Sequence, residues 1–124
     1  MRILALTLAI LSLPTLAAPI DDDAALQALQ HPNALLIDVR SAEEFAAGSL
    51  PGATRIGHED IAEQIATLAP DKDTPIVLYC RSGRRSSIAQ DALQALGYRN
   101  VSNAGGYEDF KLILGDTQRP CSNC

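Results

Sequence analysis

Pro75-Ile76-Val77-Leu78-Tyr79-Cys80 runs directly into Arg81-Ser82-Gly83-Arg84-Arg85-Ser86. The first half is a short, continuous apolar run with β-branched residues, the character of a buried parallel strand. The second half is polar, carries one glycine for tight curvature and leads into the helix-like pattern beginning at Ser86-Ser87-Ile88. A cysteine between a strand end and a helix start faces backbone N–H groups and the positive end of a helix dipole. Arg81, Arg84 and Arg85 add positive field. Both effects favour thiolate over thiol, and thiolate is the reacting form of cysteine. The segment reads as a cradle that makes a sulfur nucleophile and holds an anion beside it.

Outward from this stretch the chain alternates helical and strand-like segments. Asp21-Asp22-Asp23 precedes Ala24 to Leu29, a helix start and body, and His31-Pro32-Asn33 stops it. Ala34 to Val39 is a second buried-strand run, interrupted only by Asp38. Ser41 with Glu44 three residues later predicts a capped short helix ending at Gly48. A short strand is expected near Thr54 to Ile56, and a helix over Glu59 to Leu68 with Ile61, Ile65 and Leu68 inward. Ser86 to Leu96 predicts a helix with Ile88, Ala89, Ala92, Leu93 and Leu96 on one stripe, stopped by Gly97. Val101-Ser102-Asn103 predicts a last strand. Gly105-Gly106 is then expected to turn the chain into a helix through Phe110, Leu112 and Ile113. Such alternation predicts an α/β single domain with a mainly parallel central sheet flanked by helices. Ligands in such sheets sit beyond the carboxyl ends of the strands, where Asp38, Cys80 and Asn103 all fall.

The two ends have other uses. Met1-Arg2, the apolar Ile3 to Leu13 and the small residues before Ala18 form the pattern of a secretory signal, with cleavage expected after Ala17. The apolar stretch is shorter than the roughly 20 residues of a spanning helix, so no stable membrane association is expected after cleavage. The domain organisation is therefore 1–17 signal peptide, 18–116 folded domain and 117–124 tail. The expected location is the periplasm.

The chain has 124 residues and a net charge of −5. That makes a general nucleic-acid binder improbable. A local positive loop in an acidic protein suits a small anionic ligand instead. Secretion places the three cysteines in an oxidising compartment. If Cys121 and Cys124 pair, Cys80 is left as the odd thiol. No metal or other cofactor is expected, because His31 and His58 stand apart from the cysteines.

These pieces together resemble the rhodanese family of sulfurtransferases, from about Ala24 to Leu114. Leu36-Ile37-Asp38-Val39-Arg40 followed by Glu43-Glu44-Phe45 is similar to the family's first signature. Gly48-Ser49-Leu50-Pro51-Gly52-Ala53 is similar to its Gly-His-Ile-Pro-Gly-Ala turn, with Ser49 in place of histidine. Tyr79-Cys80-Arg81-Ser82-Gly83-Arg84-Arg85-Ser86 resembles the active-site loop, and Gly97-Tyr98 and Asn103-Ala104-Gly105-Gly106-Tyr107 resemble the closing segments. Arg55-Ile56-Gly57 stands where Asn-Ile-Pro is common, and Phe110 where tryptophan is frequent. With the leader, the chain is similar to the small single-domain periplasmic type.

The resemblance implies that Cys80 takes the sulfane sulfur of an anionic donor such as thiosulfate as a persulfide and passes it to cyanide or a thiol acceptor. Arg81, Ser82, Gly83, Arg84, Arg85 and Ser86 are then the expected substrate-binding residues, with Asp38 and Tyr107 as further candidates. Ser86 is expected to cap the following helix or bond the sulfur. Arg40 is expected to pair with Glu43 or Glu44. A second reading is a sulfur carrier or thiol redox relay, in which Cys121 and Cys124 serve a protein partner. A cysteine phosphatase fits less well: Tyr79 precedes the cysteine, Ser86 stands where the arginine is needed, and Arg85 comes one residue early.

Overall fold

Side chains of β3 (Ile76–Cys80) alternate between two apolar cores, and this alternation sorts the whole molecule. Ile76, Leu78 and Cys80 face one core; Val77 and Tyr79 face the other. The computed structural model describes residues 19–117. In chain order the remaining elements are α1 (Asp22–Leu29), β1 (Leu35–Asp38), α2 (Ala42–Ala47), β2 (Thr54–Arg55), α3 (Ile61–Leu68), α4 (Arg84–Ala95), β4 (Val101–Gly106) and α5 (Tyr107–Thr117). The four strands form one parallel sheet in the order β2-β1-β3-β4. The central pair β1 and β3 is covered on both faces, which explains why both read as unbroken apolar runs.

The first core joins Ile37 of β1 and Val39 just after it to Ile61 and Ile65 of α3 and Ala89 and Leu93 of α4. The second joins Leu36, Val77 and Tyr79 to Ala25 of α1 and Phe110 of α5. Local signals place the helix ends. Asp21 Oδ1 accepts from the Ala24 N–H, capping α1. Ser41 and Glu44 form the reciprocal capping box of α2. Gly97 follows α4 with φ +96°, the left-handed geometry that ends a helix most cheaply at glycine.

Four expectations need correction. α4 begins at Arg84, with Gly83 at its N-cap, so Ser86 lies inside the first turn and does not cap it. The buried face of α4 is Ser86, Ser87, Ala89, Gln90 and Leu93, while Ile88 is 50 % and Leu96 43 % exposed. Polar side chains that bond the neighbouring strand set that face, and an apolar stripe drawn from sequence misses them. Leu68, at the end of α3, is 43 % exposed, beside a surface cavity it shares with Thr54, Arg55 and Ile56. Gly105-Gly106 does not leave the sheet: β4 continues through both, after a bulge opposite Leu78/Tyr79. The expected leader over residues 1–17 and the Cys121/Cys124 pair lie outside the described residues.

Candidate functional site

Cys80 is the last residue of β3, and its backbone pairs with Gly106 of β4. The chain then curves through Arg81-Ser82-Gly83 into α4. Gly83 adopts φ +94°, ψ −9°, a left-handed conformation that a side chain would strain. Its N–H points back and donates to the Cys80 Sγ at 2.9 Å. The Ser86 hydroxyl also reaches the sulfur, at 3.5 Å, and the N–H groups of Ser82 and Ser86 favour its thiolate as well. The donors that face the sulfur come from the loop and the first turn of α4.

Cys80 is fully buried. Burial pushes its thiol up, whereas the Ser86 hydroxyl and the N–H groups of Ser86, Ser82 and Gly83 pull it down. The donors prevail, and the thiol titrates below the ordinary range. The Ser86 hydroxyl has one proton but three acceptors: Asn103 Oδ1 at 2.7 Å, the Gly83 carbonyl at 3.0 Å and Sγ at 3.5 Å. Shared in this way, it is a part-time donor to sulfur. The backbone amides supply the constant part of the field.

The three loop arginines have different fates. Arg85 lies against Glu44 of α2 in a two-pronged ion pair, with Nη1–Oε1 2.7 Å and Nη2–Oε2 2.9 Å. It also feels the charge of the Cys80 sulfur, so its guanidinium serves both groups. Arg81 and Arg84 are exposed, and neither has an ion-pair partner among the described residues. Arg81 also lines a cavity of about 370 Å³ together with Arg40, Glu44, Gly48, Tyr107 and Glu108. Ser82 is exposed beside it, and Gly83 is buried.

Asp38 is brought to the same end of the sheet but to the other face. It is in register with Tyr79, one residue before the cysteine, so the sheet separates its carboxylate from the sulfur. There it holds Arg40 through Oδ2–Nη2 at 2.6 Å. Arg40 also donates to the Gly48 carbonyl at 2.6 Å and stacks on the Tyr107 ring at 4.5 Å. The expected pairing of Arg40 with Glu43 or Glu44 is therefore replaced by Asp38. Tyr107 is half-buried at the cavity wall beside this stack.

Asn103 is the residue whose place in the site the sequence reading left undefined. It is buried on β4, on the same face as Leu78 and Cys80, and bonds Gly83, Ser86 and Ser87. The signal available was an asparagine in an otherwise apolar strand, which a buried site tolerates only when every polar atom is bonded. Among the described residues no group of three or more His, Cys, Asp or Glu side chains is arranged to hold a metal ion.

Comparison with known proteins agrees with this geometry. Thiosulfate sulfurtransferase PspE of Escherichia coli (strain K12) is 40% identical over 76 residues, spanning 61% of this chain and 73% of that protein. Thiosulfate sulfurtransferase GlpE of Pseudomonas savastanoi pv. phaseolicola is 35% identical over 91 residues, 73% of this chain and 84% of that one. Among solved structures, an Escherichia coli rhodanese with anions superposes with TM-score 0.60 and 39% identity, covering 61% of this chain and 89% of its own. The human single-domain sulfurtransferase TSTD1 gives TM-score 0.63 at 31% identity, with 77% and 96% covered. The family model for the rhodanese-like domain matches residues 21–112, the span that holds the sheet, the loop and Cys80. By sequence and fold, the chain belongs to the rhodanese-like domain family.

Proposed function

We propose that this protein is a periplasmic thiosulfate sulfurtransferase that carries sulfane sulfur on Cys80. The observation that supports it most directly is a buried sulfur that accepts the Gly83 N–H and faces the Ser86 hydroxyl, with its thiol held below the ordinary range. The names of PspE and GlpE support the substrate class. The leader-like N-terminus supports the compartment.

The chemistry runs in two displacements. The Cys80 thiolate attacks the sulfane sulfur of thiosulfate; a new S–S bond forms, the old one breaks, and its electron pair leaves on sulfite. The dianion enters and sulfite departs past Arg81 and Arg84, which are exposed and have no ion-pair partner among the described residues. The resulting persulfide anion stays among the donors that held the thiolate. An acceptor thiolate or cyanide then attacks the outer sulfur, and its bond to Sγ breaks with the pair returning to Cys80. Charge is conserved in each step, so no cofactor is needed. Sγ has no exposed surface at rest, so both steps require a local opening of the loop.

The test is the mass of the Cys80 peptide after thiosulfate treatment. A gain of one sulfur atom, removed by cyanide as thiocyanate and absent in Cys80→Ser, is expected. Turnover that survives in Cys80→Ser, or a Cys80 peptide that never gains sulfur, ends this reading.

A further inference from the structure

The Cys80 sulfur accepts the Gly83 N–H at 2.9 Å and faces the Ser86 hydroxyl at 3.5 Å, and the Ser82 and Ser86 N–H groups act on it as well. Two of these residues are gripped from behind by one side chain. Asn103 Nδ2 donates to the Gly83 carbonyl at 3.2 Å, and Asn103 Oδ1 accepts from the Ser86 hydroxyl at 2.7 Å. The same amide also donates to Ser87 Oγ at 2.8 Å and accepts the Gly105 N–H at 2.9 Å. Its orientation is therefore settled: only an oxygen can accept the Gly105 N–H, and only a nitrogen can donate to the Gly83 carbonyl. Asn103 is fully buried, so these bonds are made away from water; the Gly83 carbonyl also accepts the Ser87 N–H and the Ser86 hydroxyl, each at 3.0 Å. The Asn103 backbone carbonyl accepts the Asp21 N–H at 2.9 Å, which ties the segment before α1 to the same point.

Gly83 needs such a hold. It is a left-handed glycine with no side chain of its own, and it provides no side-chain cap to α4. Its N–H and its carbonyl point in different directions, one at the sulfur and one at Asn103. Fixing the carbonyl limits how far this residue can rotate away from the sulfur. Ser86 is held likewise, its N–H toward Sγ and its hydroxyl toward β4.

We propose that Asn103 is a positioning residue of the sulfur site: by clamping Gly83 and Ser86 to β4, it keeps their N–H groups aimed at Cys80. This rests on the reading of Cys80 as the sulfur-carrying residue. Asn103 does not touch the sulfur; it acts through the two residues that do.

Other charged groups around the sulfur act separately. They are Arg81 on the loop, Arg84 and Arg85 in the first turn of α4, and Glu44 of α2, which pairs with Arg85. Asn103→Ala and Asn103→Ser leave all of them in place.

The experiment follows iodoacetamide alkylation of the Cys80 peptide by mass spectrometry across pH, in the full chain. Both Asn103 variants are expected to move the alkylation midpoint upward and slow the neutral-pH reaction about tenfold, the scale of losing one donor to a charged acceptor. Ser87→Ala severs a bond of the same amide without releasing Gly83 or Ser86. It is expected to lower the melting temperature and leave the pH profile on the parent's. A folded Asn103 variant with the parent's profile overturns the proposal, as does a Ser87→Ala profile shifted as far as that of Asn103→Ala. Should neither Asn103 variant fold, the parent decides by NMR. The Gly83 and Ser86 amides and the Asn103 side-chain amide should share one titration midpoint with Cys80, and an Asn103 amide that does not respond overturns the proposal. Alkylation consumes no sulfur donor. A failure here is thus distinct from a failure of the persulfide reading, which shows only as the missing sulfur in the mass measurement.

Discussion

Glu44 and Arg85 show how a residue's role changes once its partner is known. From the sequence Arg85 is one of three equivalent loop cations; in the fold it belongs to a carboxylate 41 positions away. The Arg85 guanidinium, against burial and helped by the Ser41 hydrogen bonds, holds the Glu44 carboxyl at about 2. Because the folded value lies below the unfolded one of roughly 4.3, the pair stabilises the fold fully above that value. The contribution fades as pH falls through about 2. Both side chains are 29 % exposed, so solvent screening brings the effect down to about 1 kcal/mol. Glu44→Gln keeps the Ser41 capping bond but removes the charge. Urea unfolding should find it less stable than the parent by about 1 kcal/mol at neutral pH, with the gap closing toward pH 2. A gap that stays constant over that range would show that the carboxylate's ionisation does not support the fold.

At the scale of the element, the short apolar strands were the most legible part. Ile76 to Tyr79 and Leu36 to Ile37 are buried on both faces, so no alternative periodicity competes with the run. The faces were less legible. Asp38 and Cys80 both end strands, yet their register differs by one residue and puts them on opposite sides of the sheet. That requires knowing which residue of β1 lies beside which of β3, information absent from either run alone. The inward face of α4 was hidden because Ser86, Ser87 and Gln90 are buried by hydrogen bonding, not by hydropathy. β4 was read too short because glycines usually stop a strand. Here they let the loop approach. A Cβ on Gly106 would lie 2.7 Å from the Arg81 carbonyl oxygen, a backbone atom that can move only by shifting the sulfur loop. Gly106→Ala should therefore cut sulfur loading of Cys80 at least about tenfold, in keeping with the cost of misplacing a reacting group by an ångström. Gly115 in α5 has nothing within 4 Å of such an atom. Gly115→Ala should leave sulfur loading unchanged and raise stability by about 0.5 kcal/mol through helix propensity. Equal loading in Gly106→Ala and the parent would mean that the loop does not depend on this close approach.

The whole molecule sets the context in which that loop meets its substrate. The chain carries a net charge of −5, so at long range it repels a dianion. Near Cys80 the balance reverses, because Arg85 and Arg40 are matched by Glu44 and Asp38 while Arg81 and Arg84 have no ion-pair partner among the described residues. Attraction is thus confined to the loop mouth, within about one Debye length at moderate salt. Two opposing fields of different range make the salt response diagnostic. Screening first weakens the distant repulsion, then the local attraction, so the rate of sulfur loading from thiosulfate should rise slightly at low ionic strength and decline beyond it. Arg81→Gln with Arg84→Gln removes the attractive part. In that double variant loading should be slower by roughly tenfold at low salt and should only rise as salt is added, because repulsion alone remains. Alkylation of Cys80 by neutral iodoacetamide provides the reference and should respond far less to salt in both proteins. If the double variant shows the same salt profile as the parent, the two exposed arginines do not guide the donor. The task of meeting the dianion would then fall to the donors around Sγ and the partly neutralised Arg85 alone.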